Sequence, residues 1–173
     1  MLIGKALEND DWREVRQVFV KKFGERGRYV RFSRIHFAAY LNRLDIVKKL
    51  LKNHADVNAL QKDIEIAKLL YFSSCKGETA LHFAARSGHA EVATLLLRNG
   101  AKWDVRNSKE KTALAYAVGE GHVEVVKILI QNGADVNADI KEEDWSFLHT
   151  AAGHGYVDIV KVLIENGADV NAC

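Results

Sequence analysis

The stretch that decides the fold is "TALHFAARSGHAEVATLLLRNG", residues 79–100. Thr79 is an N-cap residue type, whose hydroxyl accepts an orphan backbone N–H at a helix start. A first helix is predicted over roughly Ala80 to Ser87, where Ala84 and Ala85 permit close packing. Gly88 ends it, because glycine takes the left-handed backbone without a Cβ penalty. A second helix is predicted over roughly 90–98, with Val92, Leu95 and Leu96 at helical spacing on one face. Asn99-Gly100 stops it, and "AKWDV" continues as an extended arm into a turn.

The same string returns. Leu81, Leu114 and Leu148 are separated by 33 and 34 residues, and so are Gly88, Gly121 and Gly155, and Gly100, Gly133 and Gly167. Three landmarks with one period define an internal repeat. An earlier copy, "SRIHFAAYLNRLDIVKKLLKNHADVNA" at 33–59, puts Ile35 in the place of Leu81, but 46 residues earlier. The excess of 13 is "QKDIEIAKLLYFS", residues 61–73. Before it, "KALENDDWREVRQVF" is a degenerate echo, in which Val15, Val18 and Phe19 precede Val47, Leu50 and Leu51 by 32. One helix pair buries too little surface alone, whereas stacked pairs share a continuous core.

These residues resemble the ankyrin repeat family. The resemblance rests on "ETALHFAARSGHAEVATLLLRNGA" (78–101), "KTALAYAVGEGHVEVVKILIQNGADVNA" (111–138), "SFLHTAAGHGYVDIVKVLIENGADVNA" (146–172) and the copy at 33–59. It implies an all-α fold: an ankyrin-repeat solenoid of about four to five stacked helix–turn–helix units joined by short β-hairpin-like tips. The expected layout is one domain over 1–173: a degenerate N-terminal capping repeat (1–27), a repeat (28–59), a helical insertion (60–73) and three further repeats (74–106, 107–139, 140–173). The family's Thr-Pro-Leu-His appears here as Thr-Ala-Leu-His at 79–82, Thr-Ala-Leu-Ala at 112–115, Ser-Phe-Leu-His at 146–149 and Ser-Arg-Ile-His at 33–36. Proline at the first helical position is helpful but dispensable. Asn42 and His54 stand at glycine positions of the family, so the first intact repeat is expected to be locally irregular.

Composition narrows the function classes. The chain has 173 residues, 48% hydrophobic and 28% charged, which suits a folded domain rather than disorder. A formal net charge of +2 points to neither nucleic acid nor a membrane surface. No run approaches the ~18 apolar residues of a membrane span, and the charged first thirty residues lack a secretory apolar core. Two cysteines, Cys75 and Cys173, make no disulfide framework and no Cys-x-x-Cys zinc spacing. A reducing intracellular setting, cytoplasm or nucleus, is expected.

Seven histidines invite a metal or catalytic reading. However, His36, His82 and His149 recur at one repeat position, and His89 and His122 at another. Recurrence points to a structural role, because each stacked copy meets the same local problem. Ala115 forfeits the hydrogen bond of the first set. No Gly-x-Ser-x-Gly and no phosphate-binding glycine loop is present. No catalytic residue, metal site or cofactor is expected, and the chain is read as a non-enzyme.

A repeat stack instead offers hairpin tips and inner-helix flanks to a partner. The resemblance places there Tyr29, Phe32 and Tyr40 in the first intact repeat, then Lys76, Glu78, Arg86 and Ser87. Lys109, Lys111 and Glu120 follow in the next repeat, then Glu142, Trp145 and His154. Trp145 is the sharpest candidate anchor, since tryptophan is enriched at interface hot spots. Trp103 stands where other copies have valine and is expected to be semi-buried. Trp12 is expected to cover the first end of the stack.

The expected function is non-catalytic protein–protein interaction, as adaptor, scaffold or regulatory subunit. Charge supports an alternative. Residues 13–34 carry eight Lys and Arg against two Glu, whereas 135–173 carry eight acids against two Lys. A sensor of an anionic small ligand or oligonucleotide at the basic N-terminal end, through Arg28 and Arg31, is that second reading, although a solvated face is the simpler explanation of the charge because aromatic residues are sparse among it. "EIAKLL" at 65–70 resembles "EVATLL" at 91–96, so the insertion is expected to be helical, as a repeat remnant or a lid. The last outer helix keeps Val157, Ile159, Val160, Val162 and Leu163 with no polar capping face. Further repeats, or end-to-end self-association through this uncapped repeat, are expected to cover it.

Overall fold

The computed structural model describes residues 33–61, 76–138 and 146–171. Its helices begin where the repeat supplies a hydroxyl or a left-handed glycine or asparagine turn, and end at the next glycine or asparagine. They are α1 Arg34–Tyr40, α2 Leu44–Lys52, α3 Ala80–Arg86, α4 Ala90–Arg98, α5 Ala113–Gly119, α6 Val123–Gln131, α7 Phe147–Gly153 and α8 Val157–Glu165. Each pair is a seven-residue inner helix followed by a nine-residue outer one. These are too short to persist alone. Their stability comes from two stacked layers: α1, α3, α5 and α7 pack in sequence order, as do α2, α4, α6 and α8, and each inner helix packs on its own outer partner.

Between the layers lies one apolar core. Leu81, Leu114 and Phe147 from the inner helices, and Val47, Leu96, Leu129 and Leu163 or their neighbours from the outer ones, are closed to solvent. Ala38, Ala39, Ala84, Ala85 and Ala117 are fully buried, which lets the inner helices approach closely. Among the described residues there is no strand. The expected β-hairpin-like tips are turns tied side by side: the Gln61 N–H donates to the Glu78 carbonyl (2.7 Å) and the Ser108 N–H to the Lys76 carbonyl (2.9 Å).

Two glycines explain why the inner-to-outer turn is so tight. Gly88 has φ +72° and a Cβ there would lie 2.6 Å from the His122 ring; Gly121 has φ +79° and a Cβ would lie 2.8 Å from the Tyr156 ring. Asn42 and His54 fill glycine positions yet take φ of 55° and 58°. The first intact repeat therefore keeps the regular backbone path, which corrects the expected irregularity: stacking on the following repeat outweighs the left-handed penalty of about 1–2 kcal/mol. Trp103 is half-buried against the core, as expected. Trp12, the degenerate first unit and almost all of the 60–73 insertion lie outside the described residues.

Candidate interaction surface

The recurring histidines stitch repeats together. In the second described repeat, the Thr79 N–H donates to His82 Nδ1 (3.1 Å), with the Thr79 hydroxyl 2.9 Å from the same nitrogen. That fixes the proton on Nε2, which donates to the Lys111 carbonyl of the next tip (3.2 Å). His36 Nε2 likewise donates to the Ala59 carbonyl (2.8 Å). The second set works in the other direction. His89 Nε2 donates to the Tyr40 carbonyl and His122 Nε2 to the Arg86 carbonyl, both at 2.9 Å, satisfying inner-helix C-terminal carbonyls of the preceding repeat. Burial pushes His36 down to about 4 and also lowers His82, against an opposing pull from Glu78. Both rings are therefore neutral linkers at neutral pH. Among the described residues no group of three or more His, Cys, Asp or Glu is placed to hold a metal ion.

The tips of the second and third described repeats are hydrogen-bonded into one platform. The Asn107 side-chain oxygen accepts from the N–H groups of Lys109 (2.8 Å) and Lys111 (3.0 Å). Glu110 turns the chain with φ 56°. The Ser108–Lys76 backbone bond joins the two tips, so Lys76, Lys109 and Lys111 are carried on one braced edge. Lys76 is exposed and the other two are half-buried. Beside them the inner helices present Tyr40 and Ser87, half-buried, and Glu120 and His154, exposed. His154 Nδ1 lies 2.8 Å from the Thr150 carbonyl and its ring stacks on Tyr156 at 5.4 Å.

Two expected contact residues are placed elsewhere. Glu78 is 0% exposed and the Arg86 residue 9%, and they form a buried ion pair. Neither is open to solvent, as the expected groove position would require. Arg86 ends α3, and helical side chains lean toward the helix N-terminus, so its guanidinium reaches back along the helix to the carboxylate preceding it. Around the pair, Asn107 Nδ2 donates to Glu78 Oε1 (3.1 Å) and lies 2.8 Å from the Tyr116 hydroxyl. The Tyr116 ring covers the guanidinium at 3.8 Å. Burial, and then Glu78, push the Tyr116 hydroxyl well above its ordinary value. Asn107 and Tyr116 are the residues that sequence reasoning missed. The signal was one acid and one arginine flanking a single inner helix, where the other copies hold Phe32, Lys111 and Trp145 or Tyr40, Gly119 and Gly153. Tyr29, Phe32, Glu142 and Trp145 lie outside the described residues.

At the far end, Val157, Ile164 and Val170 are 61%, 47% and 62% exposed. The equivalent Val136 of the preceding repeat is 7% exposed, covered by the last one. Among the described residues no helix is long and apolar enough to cross a membrane.

Two stacked helical layers, left-handed glycine turns and histidine cross-links between tips define a helical repeat protein. The sequence pattern of ankyrin repeats (3 copies) matches residues 35–140 and 99–172, most of the chain, and the chain belongs to the ankyrin repeat family. It is 37% identical over 73 residues, 42% of its length, to neurogenic locus notch homolog protein 1 of Mus musculus. It is 38% identical over 69 residues, 40% of its length, to transient receptor potential cation channel subfamily A member 1 of Homo sapiens. A shorter stretch of 45 residues, 26% of the chain, is 44% identical to 60 kDa lysophospholipase of Mus musculus. The matched stretches are 2%, 5% and 8% of those proteins, so the chain spans a small part of each. Ankyrin repeats are generally non-catalytic protein–protein interaction modules.

Proposed function

We propose that this chain is a non-catalytic adaptor or regulatory module that holds a protein partner across its tips and inner helices. The observation that carries the reading is the platform braced by Asn107, which presents Lys76, Lys109 and Lys111 on fixed backbone. A preformed surface spares the ordering entropy that a flexible one loses on binding. The reducing setting expected from the two cysteines suits a module working inside the cell.

Charge reversal at Lys76, Lys109 and Lys111 tests this, with wild type, the triple variant and Trp145→Ala used side by side as baits for quantitative mass spectrometry from the source cells. Circular dichroism confirms that each bait is folded. Partners enriched by wild type are expected to be lost with the triple variant and reduced with Trp145→Ala. Unchanged recovery by both would refute binding through this edge.

A further inference from the structure

The outer layer carries a hollow of about 380 Å³ between α2, α4 and α6, lined by Leu44, Lys48, Ala90, Glu91, Thr94, Leu95, Arg98 and Ile128. All of these residues lie on outer helices, away from the tip platform. Comparison of repeats explains the hollow. Position one of the outer helix is Leu44, Val123 or Val157 in the other copies, but Ala90 here. Position five is Lys48, Lys127 or Lys161, but Thr94 here. These positions are four residues apart, hence neighbours on one helix face. Two reductions in size on the same face uncover a floor of Leu44, Leu95 and Ile128, each only half-buried.

Charges around the hollow lack the pairing that the later outer helices show. In α6, Lys127 pairs with Glu124 at 3.3 Å, and in α8 Lys161 pairs with Asp158 at 3.4 Å. In α4 the acid, Glu91, has no lysine three residues on. In α2 the lysine remains, but its acid, Asp45, is held by Arg43 at 2.7 Å and 3.0 Å. Among the described residues Lys48, Arg98 and Glu91 therefore have no ionic partner. Glu91 opens the hollow at the start of α4. Arg98 closes it about 10 Å further along the helix, with Lys48 at the register of Thr94.

We propose that this hollow is a second docking site, for a short segment of a partner protein with a branched apolar side chain beside carboxylates. The apolar side chain enters over Leu44, Leu95 and Ile128. The carboxylates meet Lys48 and Arg98, two cations against the single acid at the far end. The size suits the occupant, because small-ligand sites begin at about 300 Å³.

The probe is the blocked tetrapeptide acetyl-Leu-Leu-Glu-Glu-amide, titrated into the ¹⁵N-labelled chain, with acetyl-Leu-Leu-Lys-Lys-amide as control. Saturable shifts are expected at the amides of Lys48, Thr94 and Arg98 with the acidic peptide only. Thr94→Lys and Ala90→Val restore what other repeats carry, so they fill the hollow without threatening the fold. Each is expected to weaken binding about tenfold or more, the scale of excluding one apolar side chain. Arg98→Glu, with the floor intact, is expected to abolish the preference for the acidic peptide. The proposal is overturned by absent shifts, by shifts confined to the inner helices, by equal binding of the lysine peptide, or by filled variants that bind as wild type does. Because the tip lysines are untouched, these outcomes are independent of the tip-platform reading.

Discussion

Replacing Arg86 with leucine separates two roles that the sequence leaves indistinguishable. A groove-contact residue would lose binding and keep stability. The buried pair instead predicts a loss of stability. Glu78 is fully buried, its Oε2 has no hydrogen-bond partner among the described residues, and Arg86 is its counter-ion. Removing one member of such a pair strands a charge in low dielectric, at a cost of about 3–5 kcal/mol. Leucine retains some packing on Tyr116, so the lost cation–π contact adds little. Against a typical stability of about 5–15 kcal/mol this is a large fraction. At roughly 2–4 °C per kcal/mol for a chain of this size, the Tm should fall by about 6–20 °C. The assay is thermal melting followed by circular dichroism at pH 7. The double variant Glu78→Gln, Arg86→Leu removes the stranded charge while leaving an oxygen to accept from Asn107. It should recover most of the loss. A drop of less than about 1 kcal/mol in the single variant, or a double variant no more stable than the single, would refute a buried, mutually neutralising pair.

Gly121→Ala and Gly155→Ala share a left-handed backbone, φ +79° and +74°, but a Cβ at 121 meets the Tyr156 ring at 2.8 Å and one at 155 meets none of the described residues within 4 Å. Urea denaturation should show Gly155→Ala losing about 1–2 kcal/mol and Gly121→Ala losing clearly more; equal losses would discount the close approach. The pH dependence follows from His36, held neutral to about pH 4 when folded against an ordinary value of 6.5. Between those values the unfolded chain binds the extra proton, so stability falls as pH drops through 6.5 and levels off below 4, by roughly 3 kcal/mol for this one group. His36→Gln should reduce that acid loss in melts between pH 7 and 4; an unchanged slope would remove His36 as its source.

The repeat period makes the helix pairs legible in the sequence alone. Alanine runs, post-turn glycines and outer-helix leucines recur because every copy solves one stacking problem. The recurring histidines are readable as structural for the same reason, and their bonds to the carbonyls of Ala59, Lys111, Tyr40 and Arg86 supply the mechanism. Reading variable positions as contact positions fails at Glu78 and Arg86. Variation marks freedom from the repeat's own requirements, and that freedom can equally be used to build a private buried pair.

By itself, then, the sequence determined the layers, because helical periodicity and turn chemistry are local. It also determined the family, because the period and the motifs it carries are distinctive together. Only tertiary structure decided that the charged pair flanking α3 is buried rather than facing solvent, since that depends on a tyrosine and an asparagine brought from the next repeat. Only tertiary structure joined Ala90 and Thr94 to Leu44 and Ile128 as one hollow. Burial and charge pairing are properties of neighbours in space, and three successive repeats, interrupted by an insertion, had to stack for those neighbours to exist.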